Sequence, residues 1–285
     1  MNKFMTRILF TCLIVLPVAG FAAENPDWTR SFPGHRVIGN LYSVGTYDLS
    51  VFLITSEAGH ILINTGLEDS TEQIKDNIED LGFALEDVRI LLTQQAHWDH
   101  VAALAEIKQI TGAEVWATKD DKRVLEDGGF SDAHFGGRQT FEPLAVEKII
   151  VQDDLIELGD IRLTVHDHPG HTEGSSSYAM LVQENGREYR VLIANMGSVN
   201  PGKQLAVDPT YPGVAADFAH TFTHQKSLEP DVWVAAHAIQ YDMHSKWQPG
   251  QAYSPDTFVD PEGYLAAVES HEQAFLEAMA SERIE

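Results

Sequence analysis

The stretch "LLTQQAHWDHVAAL", residues 91–104, decides how this chain is read. An apolar run ends at Leu92, and Gln95, His97, Asp99 and His100 follow before small and apolar residues resume at helical spacing. Four side chains able to hold a cation therefore crowd one junction between strand and helix. Imidazole nitrogen and carboxylate oxygen at this density suit a borderline cation such as zinc. Gln95 is the odd member, because its amide oxygen is a neutral and weaker donor than imidazole.

Outward from that junction the pattern alternates. "SVFLITSEAGHILINTG" predicts two strands joined at Ala58-Gly59, and "STEQIKDNIEDLG" predicts an amphipathic helix with Ser70 at its start and Gly82 as its stop. "VRILLTQQ" reads as strand, "VAALAEIKQITG" as helix, "AEVWAT" as strand and "DDKRVLEDGG" as helix. The second half offers the strand "IRLTVHDHPG" and a hairpin turning at Asn185-Gly186. A helix near 214–228, the strand "DVWVAAH" and a final helix over 261–282 complete it. Strands with helices around them predict a layered α/β or α+β fold. No linker or repeat divides the chain, so residues 23–285 are expected to form one domain.

Two further strand ends carry histidine. His171 follows the break at Gly170 in "HPGHTEGSSS", and His237 ends "DVWVAAH". Layered folds assemble sites from such strand ends. His35, His60, His134, His220, His224 and His271 read as ordinary solvated or hydrogen-bonded side chains. His166 and His168 alternate on the strand before His171 and fall outside the set of motif ligands; His244 is expected beside the site rather than in it.

Composition limits what the site can be. With 19 Lys and Arg against 43 Asp and Glu, the net charge of −24 excludes nucleic-acid binding through the overall field. "MNKFMTRILFTCLIVLPVAGFAA" has basic residues, an apolar run and then small residues, and predicts a secretory signal over residues 1–22 and a periplasmic product. Cleavage removes Cys12, the single cysteine, so neither a disulfide nor a thiolate ligand is available to the mature chain. No membrane attachment is expected after cleavage, and a monomer is expected.

The chain resembles the metallo-β-lactamase superfamily, whose signature is His-x-His-x-Asp-His followed by two later histidines. The resemblance rests on "LINTG" at 62–66, "QAHWDH" at 95–100, "GHTEGSSS" at 170–177 and "AAHAIQYDMHSKW" at 235–247. The last two segments are most similar to class B β-lactamases of the third subclass, in the branch with glutamine at the first motif position. The resemblance implies a four-layer αβ/βα sandwich with metals on one edge. It implies Gln95, His97 and His171 around a first zinc, and Asp99, His100 and His237 around a second. It also implies hydrolysis of the β-lactam amide of penicillins, cephalosporins or carbapenems, giving antibiotic resistance. Zinc brings the pKa of its water to about 7 to supply the attacking hydroxide, with Asp99 orienting that water.

The weak donor Gln95 leads to the expectation that the second site fills first, so that one zinc suffices at low supply. Ser198 is the candidate for gripping the substrate carboxylate, while Tyr47, Trp98 and "EDGGFSDAHFGG" at 126–137 could wall the cleft. Related thioesterases and lactonases carry a metal-bridging aspartate where "LIANMGSV" has Asn195, and a neutral amide bridges cations poorly. They remain the alternative, followed by a non-catalytic zinc-binding protein. Neither Ser-x-x-Lys nor Gly-x-Ser-x-Gly occurs, which excludes the serine routes.

Overall fold

In the computed structural model, which describes residues 25–282, continuous apolar runs build the inner strands and alternation of apolar and polar residues builds outer ones such as that over 161–167. The expected signal at 1–22, with Cys12, lies outside the described residues. The first sheet orders β1 (His35–Ile38), β2 (Leu41–Ser43), β3 (Phe52–Ile54), β4 (His60–Ile63), β5 (Val88–Leu92), β6 (Glu114–Ala117) and β7 (Lys148–Ile149) side by side. Neighbours from β1 to β4 run antiparallel, and those from β4 to β7 run parallel. The second sheet runs from β12 (Val232–Ala235) through β11 (Arg187–Ala194), β10 (Ser176–Glu184) and β9 (Ile161–Asp167) to β8 (Leu155–Leu158). Only β11 and β12 pair in parallel in this sheet.

Phe52, Ile54, Ile61, Ile63, Ile90 and Leu92 on one face of the first sheet share a core with Leu163, Val165, Tyr178, Met180, Val191 and Ile193 of the second. The opposite face of the first sheet packs under α1 (Thr71–Asp80), α3 (Leu104–Thr111) and α4 (Lys119–Asp127), through Leu53, Leu62, Leu91 and Val115 against Ile74, Ile78, Leu104, Ile107 and Leu125. On the far side of the second sheet, α5 (Val214–Ser227) and α7 (Pro261–Glu282) add Phe218, Phe222, Tyr264, Val268 and Phe275. Two short helices, α2 (Trp98–Val101) and α6 (Met243–Lys246), lie near the strand ends. The layers are helix, sheet, sheet, helix, and this is the expected αβ/βα sandwich.

The hairpin between β10 and β11 turns on Asn185 and Gly186, both at positive φ (52° and 77°), the pair a type I′ turn requires. Two local expectations need correction. Ser70 sits at the start of α1 but makes no capping bond; its Oγ accepts the Leu67 N–H instead. The helix expected over 101–112 is interrupted, giving α2 and α3 with Ala102 and Ala103 between them. Ala102 N–H bonds both the Gly66 and the Trp98 carbonyls, so the bend docks onto the end of β4.

β9, β11 and β12 point the same way, and so do β4, β5 and β6. Their carboxyl ends collect the sequence motifs on one edge of the sandwich.

Candidate metal centre

The end of β5 is held before any ligand appears. Asn64, at φ 65° after β4, accepts the Gln94 N–H at 3.0 Å and donates to Gln94 Oε1 at 2.8 Å. Asn195 Nδ2 and Ser176 N–H both donate to the Gln94 carbonyl. Gln94 is thereby fixed from both sheets, and Gln95, His97, Asp99 and His100 follow from a rigid base. Asn195 therefore serves as a backbone clamp, its amide spent on Gln94.

Asp99, His100 and His237 form a group whose ligand atoms all lie within 4.8 Å of one another. Asp99 Oδ2 stands 3.4 Å from His100 Nε2 and 3.6 Å from His237 Nε2. These gaps are long for hydrogen bonds but suit a shared ion, since two donors each ~2.1 Å from a tetrahedral zinc stand roughly 3.4 Å apart. His97 and His171 have ring centroids 4.8 Å apart, and those of His100 and His237 are 4.9 Å apart.

The buried lone pairs carry the test of fit. Gln95 Oε1 and both ring nitrogens of His100, one of them a lone pair in the neutral ring, are buried with no hydrogen-bond partner among the described residues, and His97 Nε2 has only Asp132 Oδ2 nearby, at 3.5 Å. Leaving such groups unpaired costs about 1–3 kcal/mol each, a penalty that a cation removes. Burial holds His100 down at about 4 and His171 well below the usual range, so both imidazoles are neutral, the form that binds metal. The donor set of amide, imidazole and carboxylate fits zinc.

Surrounding groups aim these ligands. His237 Nδ1–H donates to Asp48 Oδ2 at 3.0 Å, leaving Nε2 toward Asp99. Burial acts to lower the His237 pKa, but the bond to Asp48 and the charges of Asp99 and Asp48 outweigh it and raise the pKa. Asp48 also accepts from Trp28 Nε1 and the Ile239 N–H, and these partners together depress it despite its burial. His171 Nδ1–H donates to the Ser198 carbonyl at 2.8 Å, with Ser198 Oγ at 3.1 Å. Asp132 Oδ2 faces His97 Nε2 at 3.5 Å; burial works against its charge, yet His97 and the Phe135 and His134 N–H groups bring Asp132 to about 2.

The structure thus brings His97 beside His171 and gathers Asp99, His100 and His237. It sets Gln95 behind β5 with its oxygen unspent and places Ser198 against His171. Trp98 and Phe135 pack edge to face at 5.0 Å, and Phe135 also covers His97, so the 126–137 segment does border the site. Tyr47 and His244 stack on each other at 3.8 Å, with His244 Nε2 on the Tyr47 carbonyl. His35 and His60 are buried strand residues rather than solvated ones, and His35 places Nδ1 on the Pro33 carbonyl and stacks on Trp247 at 4.0 Å. Asp48, Asp132 and buried Lys203, which donates to the His171 carbonyl at 2.9 Å, were not singled out. Asp132 lies in a segment whose composition drew notice, while Asp48 and Lys203 carry no local signal.

The metallo-β-lactamase superfamily model matches residues 45–183. Similar solved structures span nearly the whole chain. The class B3 di-zinc metallo-β-lactamase LRA-12 from an Alaskan soil metagenome is 45% identical, covering 90% of this chain and 98% of that one, with a TM-score of 0.87. GOB-18 from Elizabethkingia meningoseptica is 40% identical over 95% and 100% of the two chains at 0.88. BJP-1, a subclass B3 enzyme of Bradyrhizobium japonicum, is 33% identical over 91% and 98% at 0.85. The chain belongs to the metallo-β-lactamase superfamily. Within it, all three neighbours are metallo-β-lactamases, hydrolases of the β-lactam amide bond, and LRA-12 and BJP-1 are of class B3. Among curated proteins, a probable metallo-hydrolase of Bacillus subtilis, YqgX, is 28% identical over 137 residues, which is 47% of this chain and 62% of that protein. The chain matches 54% of the length of a second, the hydroxyacylglutathione hydrolase GloC of Haemophilus influenzae, at 26% identity.

Proposed function

We propose that this chain hydrolyses the β-lactam amide of penicillins, cephalosporins and carbapenems with one or two zinc ions. The observation that carries the reading is the convergence of Asp99, His100 and His237, with ligand atoms within 4.8 Å of one another and the buried His100 ring without a hydrogen-bond partner, in a chain alike over nearly its full length to a class B3 enzyme. Asp99, His100 and His237 would hold one zinc, and Gln95, His97 and His171 the other. Bound zinc supplies an acidified water and polarises the carbonyl it faces.

The protein's own part is positioning. Asp48 fixes the ring of His237 through Nδ1, and the Ser198 carbonyl does the same for His171. Such partners set which nitrogen is free and keep it aimed. Asp99 would orient the attacking water, and no covalent intermediate is needed. Ser198 Oγ is the proposed contact for the substrate carboxylate. Trp98 and Phe135 shield the His97 side from solvent.

Gln95, as a neutral donor, makes its zinc the weaker one, and the Asp99 group fills first. The proposal extends to a cleaved signal at 1–22, a periplasmic monomer of one domain over 23–285, and a role in antibiotic resistance. The experiment is parallel turnover of a carbapenem, a cephalosporin, a lactone and a glutathione thioester by the zinc-loaded mature chain. β-Lactam turnover well above the other two supports the reading. Preference for the thioester or lactone would replace it, although Asn195, committed to the Gln94 carbonyl, disfavours those reactions.

A further inference from the structure

Outside the metal centre, four histidines meet between the outer face of β9 and the inner side of α5. His166 and His168 are two apart on β9, with parallel rings 6.1 Å apart. His220 and His224 are four apart on α5, with rings 6.0 Å apart. The His224 ring lies 5.2 Å from His166 and 5.1 Å from His168. These spacings are close to the 4.8 Å and 4.9 Å between the ring pairs of the metal centre.

Hydrogen bonding does not account for them. His166 Nδ1, His168 Nε2 and His224 Nδ1 are all buried without a partner among the described residues. Three unpaired imidazole nitrogens in one cluster are costly unless something fills the gap. His168, 1% exposed, contacts Ser177 Oγ through Nδ1 at 2.6 Å. Ser177 Oγ also accepts the Asn195 N–H, and the His168 tautomer with its proton on Nδ1 is the one whose Nε2 lone pair would serve a metal. Two histidines four apart on one helix face are a recurrent zinc-holding spacing. Burial and the neighbouring imidazoles lower the pKa of both His166 and His224, which keeps the rings neutral as ligands, while Asp153 acts on both through its charge and Asp167 on His224.

We propose that His166, His168 and His224, with His220 at the solvent edge, form a separate binding site for a divalent zinc-like ion. The nitrogens are not gathered within 4.8 Å as those of Asp99, His100 and His237 are. Binding draws the half-buried His166 and His224 rings toward the buried His168. The ion pins α5 to β9. Phe218 and Phe222 of α5 lie where side chains on Gly170 and Gly197 would fall, next to His171 and Ser198, so the pinned seam supports the segments that carry those residues.

The test counts zinc in the mature full-length chain against a chelator of known affinity. Four proteins are compared: the wild type, the pair change His166→Asn with His224→Asn, a metal-centre variant with Asp99→Asn and His237→Asn, and the combination. The wild type should bind one more equivalent than the pair variant. The zinc retained by the metal-centre variant should weaken at least about tenfold when the pair change is added. Equal stoichiometry and affinity within both comparisons would overturn the site. Far-UV circular dichroism without zinc checks folding. If the pair variant does not fold, His224→Asn alone and His220→Asn alone, both at the outer side of the cluster, give the same reading: weaker zinc supports the site and unchanged zinc refutes it.

Discussion

Asp48 and His237 stand 189 positions apart and meet at 3.0 Å, and this contact fixes the His237 ring from the Nδ1 side. Replacing Asp48 with alanine removes the acceptor for His237 Nδ1–H and frees the ring to turn. Zinc affinity at the Asp99 group is expected to fall by about 10–100-fold, read by competition with a chromophoric chelator. Unchanged affinity would mean that His237 is held by packing alone. Gln95 invites the converse change. Gln95→His supplies an imidazole where an unspent amide oxygen lies, so the second equivalent of zinc should tighten by at least tenfold, on the order expected for a better donor. A second equivalent no tighter than in the wild type would remove Gln95 as the cause of weak binding.

At the scale of elements, close packing behind the strand ends decides where the ligands stand. Gly170 has φ +128°, and a Cβ there would meet Phe218 at 2.8 Å. Gly170→Ala is therefore expected to cost about 1–3 kcal/mol in urea unfolding and to shift His171. A silent substitution would show that α5 gives way freely. β1 meets the C-terminal segment through His35, stacked on Trp247 and lowered to about 4 mainly by burial. The unfolded chain takes up this proton near pH 6.5 and the folded chain only near 4, so stability is lost as pH falls through that window and is whole above it. Metal-free wild type should lose on the order of 3 kcal/mol relative to His35→Phe between pH 7 and 4. Parallel curves for the two proteins would contradict this.

The elements legible in the sequence were those whose signal is local. The run from Gln95 to His100 puts four side chains able to hold a cation within six residues, and Asn185-Gly186 names its own turn. β1, β2 and β7 are short, and only partners distant in sequence make them strands. Asp48 and Lys203 were invisible for the same reason, since each bonds a histidine of the candidate site from another part of the chain. His35 carried no sign of burial, because the Trp247 it stacks on is more than two hundred residues away.

For the whole molecule, the two sheets matter because they bring the ends of β5, β9, β11 and β12 to one edge, and a cation held there ties both halves together. An ion bound only by the folded chain stabilises it by mass action, by about 2.7 kcal/mol at a hundred times its Kd. Zinc should therefore raise the unfolding midpoint and chelator lower it, with most of the effect gone in His237→Ala. No zinc dependence in the wild type would break the link between fold and site. The most direct measurement is carbapenem and cephalosporin hydrolysis by the mature chain at zinc-to-protein ratios from zero to excess. The account predicts no turnover without zinc, activity with the first equivalent and little gain from the second. No β-lactam turnover at any ratio, with zinc bound, would contradict it.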